Sequence, residues 1–133
     1  MPFLTSWLPA TRVTEDPGCA VAAVEAFGSA VFKPLFSTKA RGMAIIDTSM
    51  GHAKVRDSVE EFRRNNPVMY IQRRLELFGR DLGLVFLGGD YLGTYARVSQ
   101  SDSWNTTIDS GGRYAGYSPP AARGRSGRTL APA

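Results

Sequence analysis

A lysine in the middle of an apolar segment is the first residue of this sequence that could do chemistry. Lys33 lies within residues 30–36, which read as a buried β-strand. An ammonium group inside a protein costs free energy unless an anion or a polar cavity meets it, so Lys33 would bind a negatively charged group. The alternative is an outward-pointing lysine on an edge strand, where charges discourage aggregation. This segment alone favours neither interpretation.

The loop that follows Lys33 has the composition of a phosphate-binding cover. It offers hydroxyl groups, backbone N–H groups and two cations, which are the groups that bind phosphate oxygens. Basic loops are common, and the GxxxxGK[ST] pattern of a P-loop is absent, so the loop alone is a weak signal. Its residues are Ser37, Thr38, Lys39, Ala40, Arg41 and Gly42.

Polar residues at the ends of later strands are further candidates. Gln72, Arg73 and Arg74 end one strand, whose backbone could bind a flat heterocycle, although this segment taken alone favours an ordinary strand end. Asp81 opens the next strand and could accept hydrogen bonds from ribose hydroxyls or serve only in a turn. Arg97 lies on the far strand of a hairpin.

A polar segment near the end of the chain is the last candidate. Asn and Thr side chains can bind phosphate oxygens or a hydrated metal ion, but they also form ordinary turns. The segment comprises Trp104, Asn105, Thr106 and Thr107, followed by Gly111 and Gly112.

Two helices and several strands would position these residues. Asp16 can cap a helix that begins at Pro17 and ends at Gly28. A second helix has an apolar stripe and ends at residues 65–67, and Gly88-Gly89-Asp90 indicates a hairpin. The fold class is therefore α+β with a largely antiparallel sheet. Besides residues 30–36, the predicted strands are residues 43–47, 68–72, 82–87 and 91–98.

Composition excludes several classes of protein. With 133 residues the chain can form one core, and one Cys and one His exclude a disulfide framework and a histidine-rich metal site. Cys19 is expected in the core of the first helix, and His52 on the surface. No apolar stretch reaches the roughly 18 residues of a membrane span, and the N-terminus lacks a signal-peptide pattern. These features fit a soluble, cytoplasmic protein.

The net charge of +4 lies mostly in the C-terminal tail. Residues 119–133 contain three arginines and no acid, and without them the chain has 13 basic and 12 acidic residues. This balance makes a nucleic-acid-binding domain unexpected. The tail has almost no large apolar residue, so it is expected to be disordered, with an RNA- or phosphate-binding arm as the alternative.

Taken in order, the candidate segments resemble the ATP-grasp superfamily. The resemblance covers residues 10–118 and rests on VFKP, the loop ending at Gly42, YIQ, GRD, the GG hairpin, YARVS and WNTT before GG. Each segment is weak, but their shared order is specific. The sequence looks like the carboxylate–amine ligase branch, with the ribosomal-protein glutamate ligases and glutathione-synthase-like enzymes. Such enzymes use MgATP to phosphorylate a carboxylate, and an amine then attacks the acyl phosphate to form an amide.

The resemblance implies a role for each candidate. Lys33 would contact the nucleotide phosphates under the loop of residues 37–42, in which Lys39 and Arg41 add charge. Gln72, Arg73 and Arg74 would occupy the hinge strand beside adenine, and Asp81 would hold the ribose. Thr106 and Thr107 would lie beside the phosphates and the incoming substrate.

The resemblance also implies two catalytic residues and the bound partners. Arg97 would face the γ-phosphate or the acyl phosphate, and Asn105 would lie beside the incoming substrate. The implied ligands are ATP, a carboxylate and an amine, with magnesium expected for the family. A partner chain or a second copy could complete the site, and neither a membrane nor a nucleic acid is an expected partner.

Several positions depart from the family pattern. Ser37 and Ala40 replace glycines that are common in the loop, which would stiffen it. Arg73 stands where a glutamate often accepts from the adenine amino group, and arginine cannot accept a hydrogen bond. No acid follows Asp109, so the carboxylates that hold magnesium in the family have no counterpart here.

These departures suggest an incomplete ATP-grasp module. The expected divisions are a linker (residues 1–14), a small lid subdomain (15–75), the start of a second subdomain (76–118) and the tail (119–133). Without magnesium ligands the chain is expected to be inactive alone. The alternatives are a non-catalytic nucleotide-binding pseudoenzyme and a truncated gene fragment, the latter from an early stop or a shifted reading frame.

Overall fold

The computed structural model describes residues 8–99, 106–107 and 111–120. The chain divides into two compact units, Met1–Glu76 and Leu77–Ala133. In the first unit the helices are α1 (Pro17–Phe27) and α2 (His52–Asn65), preceded by a short 3-10 helix (Thr48–Met50). The strands of that unit are β1 (Thr11–Thr14), β2 (Ser29–Lys33), β3 (Ala44–Asp47) and β4 (Met69–Arg73). The second unit contains β5 (Arg80–Leu87), β6 (Asp90–Val98) and β7 (Arg113–Gly116).

The first unit is a four-stranded antiparallel sheet with both helices packed on one face. The strand order is β1-β4-β2-β3, so β2 and β4 are central. Alternate residues of the central strands point at the helices and form the core with apolar residues of α1 and α2. The largest fully buried side chains are Phe32, Ile46, Met69, Ile71, Val24 and Val59.

Capping defines helix α1 as the sequence predicted. The carboxylate of Asp16 accepts a 2.7 Å hydrogen bond from the backbone N–H of Cys19, and this bond lowers the pKa of the Asp16 carboxyl below its ordinary value. Pro17 opens the helix, and Gly28, with φ of 74°, ends it. Helix α2 ends at Asn65, also as predicted. The two helices and the antiparallel sheets confirm the α+β class.

The prediction that Cys19 lies in the core is wrong. Cys19 is exposed because it lies in the first turn of α1, whereas the buried positions of that helix begin at Ala20. His52 is on the surface as predicted, and its Nδ1 lies 3.1 Å from the Glu25 carboxylate.

Two strands were not predicted. Strand β1 falls inside residues 1–14, which the sequence suggested were a linker, and it pairs with β4 from Thr11 opposite Gln72 to Thr14 opposite Met69. Strand β7 follows the polar segment and pairs with β6. Both are four residues long and have little apolar alternation, so their backbone pairing with a longer strand defines them.

The second unit is an antiparallel sheet in the order β5-β6-β7. Its hairpin turns at Gly88 and Gly89, whose φ angles of 59° and 92° explain the predicted glycine turn. The register is regular from Arg80 opposite Val98 to Val85 opposite Gly93, and it then shifts at a bulge.

Two of the predicted features lie partly or wholly outside the described residues. The tail beyond residue 120 lies outside them, and so does Asn105. Within the described ranges, no helix is long and apolar enough to cross a membrane.

The packing of Phe32 generates a stability prediction. Its fully buried ring lies edge-on to Phe62, with the centroids 5.4 Å apart. We expect Phe32→Ala to lower the free energy of unfolding by about 3–5 kcal/mol because it leaves a core cavity. Urea unfolding followed by circular dichroism measures the change. The matched control is Phe36→Ala, which truncates a ring that is 96% exposed and should change stability by less than about 0.5 kcal/mol. Equal effects of the two substitutions would contradict the assigned core.

Candidate nucleotide-binding site

Lys33 lies on a central strand, and its ammonium has a side-chain partner. Strand β2 pairs with β3 on one side and β4 on the other, so the edge-strand interpretation of Lys33 is wrong. The Nζ atom of Lys33 donates a 2.7 Å hydrogen bond to Oε1 of Gln72. Because Gln72 lies opposite Val31, two residues before Lys33, the register places both polar side chains on one face.

Lys33 and Gln72 begin a row of hydrogen-bonded polar side chains, the polar row, which continues across the sheet to Thr11 of strand β1. Nε2 of Gln72 donates a 3.1 Å bond to Oγ1 of Thr11, which donates in turn to the carbonyl of Pro9 at 2.8 Å. The row lies on the sheet face opposite the helices, since the neighbouring Phe32 and Ile71 point into the core. An ammonium group has three N–H donors and Gln72 uses one, so Lys33 retains the chemistry to bind a phosphate oxygen.

The two arginines after Gln72 occupy different positions. Arg73 lies opposite Ala30 and therefore on the helix-bearing face of the sheet, whereas Gln72 lies on the other face. Arg74 follows the end of β4, and its backbone N–H donates to the carbonyl of Ser29 at 2.9 Å. The structure thus brings Gln72, but not Arg73, to the face of Lys33.

The loop of residues 37–42 is held by its own hydrogen bonds. The hydroxyl of Ser37 donates to the carbonyl of Arg41, and the N–H of Arg41 donates to the carbonyl of Thr38 at 3.1 Å. Lys39 and Ala40 have φ angles of 58° and 60°, a conformation that side chains with a Cβ rarely adopt. The loop borders an open depression of about 780 Å³ whose lining also includes Pro34, Leu35, Phe36 and Gly42.

In the second unit, Asp81 and Arg97 form a two-pronged ion pair. Nε and Nη2 of Arg97 donate to the two carboxylate oxygens of Asp81 at 2.8 and 2.5 Å. The residues are direct neighbours on β5 and β6. The hydrogen bonds from Arg97 to Asp81 raise the pKa of Arg97. Two residues to which the sequence suggested separate ligands, ribose and phosphate, thus bind each other.

Thr106 and Thr107 lie against the glycine pair. Thr106 is buried, and the N–H of Gly112 donates to the carbonyl of Thr107 at 3.0 Å. A Cβ at Gly112 would lie 2.2 Å from the carbonyl oxygen of Thr106, so only glycine fits there. The predicted catalytic residue Asn105 precedes this pair, outside the described residues.

Sequence reasoning missed two features around these candidates. Thr11, in the predicted linker, extends the Lys33–Gln72 row. Tyr95 shares a face of β6 with Arg97, and its ring lies edge-on to that of Tyr114 on β7, with the centroids 5.3 Å apart. The spacing of two residues indicates that Tyr95 and Arg97 share a face of their strand. Their neighbour Tyr114 could not be found in this way, because strand β7 was not predicted.

The described residues provide no metal centre. Among them, no cluster of three or more His, Cys, Asp or Glu side chains could hold a metal ion. The magnesium that the resemblance implies therefore stays a prediction.

Comparison with known proteins shows that the chain is similar to a ligase. Over 113 residues the chain is 28% identical to the tetrahydromethanopterin:alpha-L-glutamate ligase of Methanosarcina acetivorans. The match covers 79% of this chain and 35% of that protein, so the chain spans about a third of the length of the curated relative it matches. No family model matches the chain. The similarity to a ligase supports the superfamily that the motifs predicted.

The loop geometry generates a second stability prediction. We expect Ala40→Gly to raise the free energy of unfolding by about 1 kcal/mol, because glycine adopts a positive φ without steric cost. Urea unfolding of the full chain checks this. The control is Ala22→Gly on the exposed side of helix α1, which should lower stability by about 1 kcal/mol. An Ala40→Gly variant that is less stable than the original chain would contradict the positive φ at this position.

Proposed function

We propose that this chain is the ATP-binding part of an ATP-dependent carboxylate–amine ligase of the ATP-grasp type. The observation that carries the proposal is the contact between Lys33 and Gln72, which are 39 residues apart in sequence. The motif resemblance assigned both residues to one nucleotide, and both lie on the same face of the sheet. The similarity to a glutamate ligase supports the same reaction class.

The proposed reaction has two steps. A carboxylate oxygen attacks the γ-phosphorus of ATP, which forms an acyl phosphate and releases ADP. An amine then attacks the acyl carbon, which forms an amide and releases inorganic phosphate. Most of the catalysis in the first step comes from positioning the phosphates and stabilising their charge. Lys33 and the cations of the loop, Lys39 and Arg41, are the groups we assign to that task.

The base and ribose would be held by residues near the ends of strands. Gln72, near the end of the central strand β4, would lie beside the adenine edge. We assign ribose recognition to Asp81 and phosphate stabilisation to Arg97. Arg97 binds Asp81 through Nε and Nη2, so its Nη1 is the donor that a phosphate could meet without opening the pair. We assign Asn105, Thr106 and Thr107 to the phosphates and the incoming substrate.

The amide-forming activity belongs, in this proposal, to a whole ligase rather than to this chain by itself. The chain matches 35% of its relative, and its described residues contain no magnesium-ligand cluster. We therefore assign to this chain the binding of the nucleotide.

A second candidate is a nucleotide-binding protein without catalysis. The observation that favours it is the pairing of Arg97 with Asp81, which already partly neutralises the proposed catalytic cation. The two candidates differ in whether the bound nucleotide serves catalysis: the first makes this chain the nucleotide-binding part of a whole ligase, and the second assigns it no catalysis in any assembly. Sustained release of ADP from ATP by the purified chain alone would contradict both candidates.

Lys33 provides the direct test of nucleotide binding. We expect calorimetric titration to show that the chain binds ATP and that Lys33→Ala weakens binding at least about tenfold, since a charge-assisted bond contributes about 1.5–3 kcal/mol. The matched control is Lys54→Ala, which removes an exposed lysine of helix α2 and should leave the affinity unchanged. Equal affinities for ATP in the two variants, or no heat from the folded original chain, would overturn the proposed role of Lys33.

A further inference from the structure

The outer edge of strand β5 is the longest open strand edge in the described part of the chain. There β5 pairs with β6 alone and has eight residues, whereas the other edge strands, β1, β3 and β7, have four each. From Leu82 to Leu87 the strand contains no charged residue and no proline, the residues that commonly protect an edge from pairing. Such an edge is a template for another strand.

The hydrogen bonds between β5 and β6 show which backbone groups face this edge. The N–H of Ser99 donates to the carbonyl of Gly79 at 2.8 Å, and these residues lie opposite each other, one position before Arg80 in the register. Because hydrogen-bonded pairs alternate along an antiparallel ladder, every second residue from Gly79 onwards bonds to β6. The residues between them, Leu82 and Leu84, therefore direct their N–H and C=O groups outwards.

The side chains of these two leucines are also open to solvent. Leu82 is 41% exposed and Leu84 is 58% exposed. They are two residues apart on a strand and so lie on the same face of the sheet. The edge thus combines apolar side chains, which gain from burial, with backbone groups that can be buried only if a partner forms hydrogen bonds with them.

Two features limit the part of the edge that another strand can pair with. At the start of β5, the N–H of Arg80 already donates to the carbonyl of Leu77 at 3.0 Å. Towards the other end, the register shifts at a bulge after Val85. The regular open segment is therefore residues 81–85, and Gly83 is its midpoint.

This segment is complementary to itself. When two copies are related by a two-fold axis through Gly83, Leu82 of each copy lies opposite Leu84 of the other. These opposed residues exchange both of their N–H···O=C bonds, so every outward group of the two leucines finds a partner. At the axis, Gly83 lies opposite its own copy in a non-hydrogen-bonded pair, where Cα atoms approach to about 4.5 Å. Glycine brings no side chain to this close contact.

Other two-fold registers of the same edge are less favourable. An axis through Leu82 would need the N–H of Arg80, which is already bonded within its own chain. An axis through Leu84 would oppose Leu82 to Phe86, beyond the bulge. An axis through Asp81 would place two carboxylates directly opposite each other, which is destabilising.

We propose that the chain forms a two-fold symmetric dimer through β5, with Gly83 at the axis. The pairing joins the three-stranded sheets of two copies into one continuous antiparallel sheet. A second copy is the occupant because the open segment between the turn and the bulge matches itself in length, hydrogen-bonding pattern and charge. The inference goes beyond the proposed function and does not depend on it, since the pairing uses the outward backbone of Leu82 and Leu84.

Sedimentation equilibrium of the full chain over a range of concentrations tests the dimer. We expect a reversible monomer–dimer equilibrium. Leu84→Pro should weaken dimerisation at least about tenfold, because it removes an outward N–H from each copy. Proline is tolerated at an edge position whose N–H faces solvent, so the bonds to β6 are kept. A chain that stays monomeric at every concentration would overturn the proposal, as would unchanged dimerisation of Leu84→Pro.

Two control variants separate strand pairing from general apolar association. Leu84→Val keeps the N–H group and an apolar side chain, so its dimerisation should stay within about threefold of the original. Leu92→Lys removes a leucine of β6 that is 60% exposed and should likewise leave dimerisation unchanged. A loss of the dimer in Leu92→Lys equal to that in Leu84→Pro would contradict pairing through β5. Two-dimensional NMR spectra show whether each variant is folded.

Disulfide formation tests the register without relying on proline. The background is Cys19→Ser, which removes the exposed natural thiol. A chain with Leu82→Cys, mixed with a chain with Leu84→Cys and oxidised, should give a cross-linked dimer, because opposed residues have Cα atoms about 5.5 Å apart. Either chain alone should cross-link at least about tenfold less, because its thiols lie diagonally, about 7–8 Å apart. Equal cross-linking in the mixture and in the separate chains would overturn the axis at Gly83.

Discussion

The structure of the first unit depends on where the ammonium group of Lys33 can lie. An ammonium group packed among the core residues between the sheet and the helices would lose its hydration, at a cost that the surrounding core could not offset. The alternation of strand β2 therefore directs Phe32 into the core and Lys33 to the opposite face, where Gln72 accepts its hydrogen bond. The helices cover one face of the sheet, and the other keeps the polar row that we assign to a nucleotide.

In the second unit, a charged strand residue is likewise stabilised by a partner on the neighbouring strand. Arg97 and Asp81 lie at directly opposed positions of β5 and β6, each a quarter to a third exposed, and satisfy each other through two hydrogen bonds. In both units, rigid strands set the position of the charged group, and the adaptable groups are on loops or at strand ends. Such an arrangement suits phosphate chemistry, in which the protein mainly positions charge.

The sequence predicted those parts of the fold that local signals determine. Asp16, Pro17 and Gly28 mark the ends of α1, and the glycine pair marks the hairpin of the second unit, because caps and turns depend on nearby residues. Strands β1 and β7 could not be predicted in this way, since their pairing partners lie far away in the chain. Cys19 was misplaced because one step around a helix separates an exposed position from a buried one.

The candidate site shows the same division. Residue type identified Lys33 and Arg97 as unusual charges, but only strand register could show that Lys33 meets Gln72 and that Arg97 meets Asp81. The exclusion of an edge-strand lysine likewise needed the order of strands in the sheet. Long-range pairing, rather than composition, decides which candidates share a face.

The central claim is that the sheet face opposite the helices binds a nucleotide. The most direct measurement is NMR chemical-shift mapping of the isotopically labelled chain during titration with ATP, with the side-chain amide of Gln72 as the reporter. The account predicts that this amide shifts together with the backbone amides of residues 37–42, while those of helix α2 stay unchanged. Shifts confined to the helices, with the Gln72 amide unmoved at saturating ATP, would contradict it.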